Sequence, residues 1–179
     1  MSDHERLALK LEAMEFGGAP MGVLIDDPQL ARILGIRNRK VFKANEVGED
    51  GELVNLEELY AEEGPYRSLA IGVDKDKALT RAVIDWAIKV MPTGGELILV
   101  GEKKLGVQSF EKYLAERMEG IAKMPIKDIG RLSFWRKNQE SEEKPVELWQ
   151  ETKVEAPWVN VTLMSLPGVF ARGELDKGT

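Results

Sequence analysis

The chain has 179 residues, 43% of them hydrophobic and 31% charged, with a formal net charge of −6. That length suits one domain with an appendage, and the acidic balance argues against a free-standing nucleic-acid binder, leaving only a local basic patch open. The chain has no cysteine and a single histidine, His4, which excludes disulfides, thiolate nucleophiles and cysteine–zinc sites and argues against a histidine base or a histidine metal cluster.

No apolar run approaches the ~20 residues needed to span a bilayer. Met1 to Arg6 is mixed in charge and lacks the basic and apolar regions of a signal peptide. A cytoplasmic protein without a membrane partner is expected, with no metal.

Leu7, Leu11 and Met14 recur at helical spacing, and Gly17 to Pro20 end that short helix. Gly22 to Ile25 reads as a buried strand. Asp27 as N-cap with Pro28 behind it starts a helix through Leu30, Ile33 and Leu34, which Gly35 ends. Ile36 to Lys43 is a basic, β-prone piece. Glu46 to Glu52 is acidic and reads as a solvated loop, and residues 55–63 read as a short helix stopped by Gly64-Pro65.

Ser68 to Val73 is a second strand. Residues 76–91 carry a wide apolar stripe of Leu79, Ala82, Val83, Trp86 and Val90, suited to packing on a sheet. Pro92 to Gly95 then return the chain to Leu97-Ile98-Leu99-Val100, an unbroken apolar run expected of a strand covered on both faces. A helix from Val107 to Met118 follows. Ile121 to Ile126 and Leu132 to Trp135 read as an antiparallel pair. Asn138 to Lys144 reads as a loop, Pro145 to Trp149 as a helical turn or two, and Trp158 to Leu163 alternates as a strand does.

Strands near 23, 69 and 97 alternate with helices near 30, 80 and 110. That order predicts an α/β fold with a Rossmann-like, mostly parallel sheet flanked by helices, closed by a C-terminal antiparallel hairpin.

The chemistry-bearing candidates are few. Gly101 and Gly106 have the glycine spacing of a phosphate loop, but Val107 and Gln108 stand where that loop needs lysine and a hydroxyl, so a structural strand-to-helix turn is favoured. No Gly-x-Gly-x-x-Gly fingerprint occurs, and no strand is followed by clustered glycines that would let a cofactor approach the backbone. Arg37, Arg39, Lys40 and Lys43, extended by Lys103 and Lys104, are the candidates for RNA phosphate contact. Asp74 and Asp76 precede a helix and are read as caps ahead of metal or ribose ligands. Trp135, Trp149 and Trp158 are read as core ahead of base stacking.

Two segments carry a resemblance. Val100-Gly101-Glu102, followed by Gly106-Val107 and Ser109, is similar to a signature in the N-terminal domain of the small-subunit ribosomal RNA guanine-N2 methyltransferases. Pro167-Gly168-Val169-Phe170 and Leu175-Asp176-Lys177-Gly178-Thr179 resemble the start of that family's catalytic domain, with Ala171 where serine is usual.

The resemblance implies a degenerate, class I methyltransferase-like N-terminal domain over residues 1–137 and a linker over 138–156. Residues 157–179 would then begin a catalytic domain whose donor loop and Asn-Pro-Pro-aromatic motif lie beyond Thr179. It implies a non-catalytic chain that helps position 16S ribosomal RNA or the small ribosomal subunit, with no cofactor of its own and the catalytic domain in cis or trans. The complete enzyme would move a methyl group from S-adenosylmethionine to a guanine amine, with Phe170, Asp176 and Thr179 near the donor. No residue here is expected to be catalytic. The rival reading is a stand-alone Rossmann-like module that binds a nucleotide or a protein.

Overall fold

A computed structural model describes residues 5–7, 9, 19–127, 130–139, 150–156 and 159–165. Seven strands form one sheet: β1 (Met21–Val23), β2 (Arg39–Val41), β3 (Gly51–Leu53), β4 (Ser68–Gly72), β5 (Glu96–Gly101), β6 (Glu119–Ile126) and β7 (Gly130–Arg136), in the order β3-β2-β1-β4-β5-β7-β6. The first five run parallel. Strand β7 lies antiparallel between β5 and β6, so the expected hairpin is built into the sheet. The chain runs outward from β1 to β3 and then returns to β4 on the other side, which places the reversal of strand order between β1 and β4. A second, two-stranded antiparallel sheet pairs β8 (Gln150–Ala156) with β9 (Val159–Ser165).

Four helices connect these strands: α1 (Pro28–Ile33), α2 (Leu56–Ala61), α3 (Lys77–Val90) and α4 (Val107–Ala115). Their starts are encoded locally. The Asp27 side chain accepts from Gln29 N ahead of Pro28, Asn55 and Glu58 form a reciprocal capping box, and Asp76 accepts from Ala78 N and Leu79 N.

The strand period sorts side chains onto two faces. Leu69, Ile71, Leu97 and Leu99 pack with Leu56, Leu59, Leu79, Val83, Trp86, Phe110 and Leu114, which come from α2, α3 and α4. Ala70, Ile98 and Val100 pack with Leu7, Leu30, Ala31 and Leu34 on the opposite face. Every residue of β4 and β5 is buried, which is why the run at 97–100 shows no polar alternation. Each large core side chain contributes on the order of 1.5–3 kcal/mol by leaving water. One buried cation finishes α3: Lys137, 2% exposed, donates from Nζ to Ile88 O at 2.7 Å and to Met91 O at 2.6 Å, satisfying carbonyls at the helix end.

Several local expectations are corrected. Gly51–Leu53, overlapping the end of the expected solvated loop, is an edge strand whose short length and Glu52 suit a sheet border. Gln150–Ala156 is a strand paired with Val159–Ser165, where no strand was expected before residue 158. Strand β1 stops at Val23, because Leu24 adopts a left-handed φ of 60° that leaves the ladder. Helix α4 ends at Ala115, and Arg117 N and Met118 N turn back to Leu114 O. The turn expected at 145–149 lies outside the described residues. Among the described residues no helix is long and apolar enough to cross a membrane.

Candidate functional site at the carboxyl edge of the sheet

The carboxyl ends of β1, β4 and β5 meet at the point where strand order reverses, the usual ligand crevice of an open α/β sheet. They enclose a shallow cleft of about 210 Å³, walled by Leu24, Leu30, Val73 and Leu105 and edged by Asp26 and Glu102.

The turn after β1 closes on itself. A Cβ at Gly72 would sit 2.1 Å from Leu24 O, so β4 needs glycine where this turn crosses it. Beneath the turn the Arg39 guanidinium donates from Nη1 to Ile25 O at 2.8 Å and Asp26 O at 3.4 Å. The backbone groups that would face a ligand are thus held by the protein itself.

The rim is mixed in charge. Lys43 Nζ lies 3.5 Å from Glu46 Oε1 and 3.8 Å from Asp74 Oδ2. Crowding by surrounding protein, then hydrogen bonding to and repulsion from Glu46, push the Asp26 carboxyl up to about 6, against the opposing pull of Lys43. Asp74 and Asp76 fill the capping role expected of them: Asp74 accepts from Asp76 N at 2.8 Å, and Asp76 caps α3. Among the described residues no group of three or more acidic or histidine side chains is placed to hold a metal.

The loop after β5 is a short 3-10 turn, Lys103–Leu105, ended by Gly106 at φ 84°, a left-handed conformation that favours glycine. Ser109 donates from both its backbone N and its hydroxyl to Gly106 O. This is a strand-to-helix turn satisfied by its own atoms, in keeping with the structural reading of the glycine spacing.

The six basic candidates do not form one surface. Arg37 precedes β2 and Lys43 follows it, so they stand at opposite edges of the sheet. Arg39 is only 3% exposed and bonds Asp50 from Nε at 2.8 Å and from Nη2 at 3.0 Å, which withdraws it from any phosphate. Lys40 pairs with Glu52 and with Glu62, the latter at 2.6 Å. Lys103 is exposed, and Lys104 is exposed but pairs with Glu102 at 2.9 Å. Strands β2 and β5 are three places apart in the sheet, which separates Lys43 from Lys103 by about 14 Å of strand spacing. Phe170, Asp176 and Thr179 lie outside the described residues.

Trp135 and the basic residues of β6 and β7 are structural. Trp135 is buried in the core. Arg131 and Lys123 flank the buried Glu111 at 2.8 and 3.5 Å, and Arg136 pairs with Glu96 at 3.1 Å. Trp149 and Trp158 lie outside the described residues.

One cluster was not anticipated. The Arg81 guanidinium on α3 sits 4.4 Å from the centre of the Tyr113 ring on α4, and that of Arg117 sits 3.6 Å from it. Its sequence signal is slight: Arg81 follows Lys77, and Arg117 follows Tyr113, by one helical turn each. Only packing of α3 beside α4 brings the pairs together.

The family model for the methyltransferase small domain N-terminal matches residues 40–149. A ribosomal RNA small subunit methyltransferase C from Marinomonas sp. is 32% identical over 136 residues, covering 74% of this chain and 38% of that protein. Its counterpart from Haemophilus influenzae is 38% identical over 89 residues, covering 49% of this chain and 26% of that protein. Among solved structures, the T. thermophilus 16S rRNA N2 G1207 methyltransferase in complex with AdoMet and guanosine shares the fold. Its TM-score is 0.71 at 20% identity, over 97% of this chain and 48% of that one. The matched region thus spans 38% or less of these two curated relatives and under half of the solved one.

Proposed function

The chain belongs to the methyltransferase small domain N-terminal family, and from that premise we propose that it is the non-catalytic, RNA-positioning portion of a 16S ribosomal RNA guanine-N2 methyltransferase. In this reading residues 1–137 are a degenerate methyltransferase-like domain. Residues 138–156 lead out of it, and residues 157–179 begin the catalytic domain, supplied in cis or in trans. The complete enzyme transfers a methyl group from S-adenosylmethionine to a guanine exocyclic amine. Phe170, Asp176 and Thr179 belong beside the donor there.

The observation that carries the reading is the closed turn after β1. S-adenosylmethionine needs room for an adenosine, a ribose diol and an amino-acid tail. The cleft offers about 210 Å³, below the ~300–1,000 Å³ usual for small-molecule pockets. Leu24 and Leu30 occupy the wall where glycines would admit the tail, and Arg39 holds the Ile25 and Asp26 carbonyls. These residues do not suit the donor. The sheet keeps the architecture of a cofactor-binding fold while its crevice is narrowed by its own side chains.

Support for an RNA role comes from the names of the relatives, which are ribosomal RNA methyltransferases, and from exposed cations at Arg37 and Lys103. Isothermal titration of S-adenosylmethionine into the 179-residue chain tests the reading. No saturable heat is expected, and one-to-one binding at micromolar affinity would overturn it.

A further inference from the structure

The carboxyl rim is a poor phosphate track, because Asp26, Glu46, Asp74 and Glu102 crowd the same edge as Lys43 and Lys104. The outer surface of α3 and α4 differs. Lys77 and Arg81 are one turn apart on α3, and both are exposed. Lys77 reaches the strand-to-helix turn: its Nζ would lie 3.7 Å from a Cβ placed on Gly106, beside exposed Lys103. Arg81 and Arg117 then converge on Tyr113. Among the described residues Lys77, Arg81 and Lys103 make no ion pair.

The side chains around Tyr113 explain why these guanidiniums stand as they do. Asp85, one turn after Arg81, is the natural partner for that arginine. Its Oδ1 instead accepts the Tyr113 hydroxyl. The ring is thereby fixed, and Arg81 lies against it rather than folding onto the carboxylate. Arg117, in the turn just after α4, donates to Tyr113 O at 2.9 Å, with exposed Glu116 at 3.3 Å. Two permanently charged, planar groups are brought together on one aromatic support. Exposed Glu116 offsets part of the Arg117 charge, and a phosphate oxygen would offset more of the pair's like charge. Their orientation is already fixed, so little side-chain entropy remains to be lost when one does.

We propose that Arg81 and Arg117, stacked on Tyr113, form a contact for the RNA phosphate backbone, continued by Lys77 and Lys103 along the α3–α4 surface. The proposal rests on the RNA-positioning reading above and names the face that serves it. Planar guanidiniums suit two-pronged bonding to phosphate oxygens, and a contact of this kind holds RNA in register without reading its bases.

The test is equilibrium binding of an in vitro-transcribed 16S rRNA to the 179-residue chain over a salt series, for the unchanged protein, R81Q/R117Q and R32Q. Arg32 lies on α1, on the opposite face of the sheet, and serves as the control. The double variant should bind about tenfold or more weakly at low salt. Its log–log salt dependence should be shallower by about two, one for each lost phosphate contact. R32Q should bind as the unchanged protein does. In a parallel measurement on the unchanged protein, RNA should protect Arg81 and Arg117, but not Arg32, from phenylglyoxal. That readout stands even if the double variant misfolds.

If the unchanged protein does not bind the RNA, the RNA-positioning reading falls and this proposal falls with it. If it binds, but R81Q/R117Q binds equally and RNA leaves both arginines reactive, the proposal alone is overturned. Loss of self-association in the double variant, with RNA affinity unchanged, would make this face a protein contact and also overturn it.

Discussion

Arg39 donates to both carboxylate oxygens of Asp50, from Nε at 2.8 Å and from Nη2 at 3.0 Å, while its Nη1 holds the carbonyl of Ile25. One buried guanidinium therefore ties the end of β1 to the loop that carries β2 across to β3. Removing it leaves a buried carbonyl and a carboxylate without their donor. Arg39→Ala should cost about 3 kcal/mol, read as a lower urea midpoint. The same hydrogen bonds hold the Asp50 carboxyl below the ordinary carboxylate range. Its contribution is present above about pH 4 and is lost as pH falls through the depressed value. Asp50→Asn should remove that acid-side slope.

Asp26 works in the opposite sense. Its carboxyl is raised to about 6, so the folded chain holds a proton that the unfolded chain has already released. Stability should therefore fall as pH rises from about 4 to about 6. The residue is solvent-exposed, which reduces the effect to about 1 kcal/mol or less. Asp26→Asn should flatten this part of the pH–stability curve and raise the melting temperature at pH 7.

Lys137 supplies donors to two carbonyls at the end of α3. Lys137→Met keeps the volume and loses both bonds. A loss of about 2 kcal/mol is expected, or about 4–8 °C in melting temperature for a chain of this size. Calorimetry of the two proteins measures it.

Gly72→Ala would drive a methyl group into the Leu24 carbonyl, 2.1 Å from the ideal Cβ position. Both partners are backbone and cannot step aside cheaply. A cost of about 3 kcal/mol is expected, together with a changed hydrogen-exchange rate in the turn after β1.

Much of the fold is legible in local pattern. Leu97 to Val100 announces a doubly covered strand, the 3.6-residue stripe through Leu79, Val83, Trp86 and Val90 announces α3, and Asp27-Pro28 marks the start of α1. Gly51–Leu53 was hidden because its pairing with Arg39–Val41 stabilises it, and its own sequence is acidic and short. The pairings of the basic segment were hidden for a related reason. Charge is read from sequence, but partners are not: Arg39 meets Asp50, and Lys40 meets Glu52 and Glu62, only after the crossovers bring them together. Tyr113 and its two arginines were invisible for the same cause, since the cluster spans two helices.

In the proposed function this chain engages ribosomal RNA without using the methyl donor. Its most direct test is the affinity of the 179-residue chain for a 16S rRNA transcript, with and without saturating S-adenosylmethionine. Binding that weakens steeply with salt and is the same in both conditions is the predicted result. Two coupled sites must shift each other's affinity equally, so a donor-dependent change in RNA affinity, or no RNA binding at all, would overturn the proposed function.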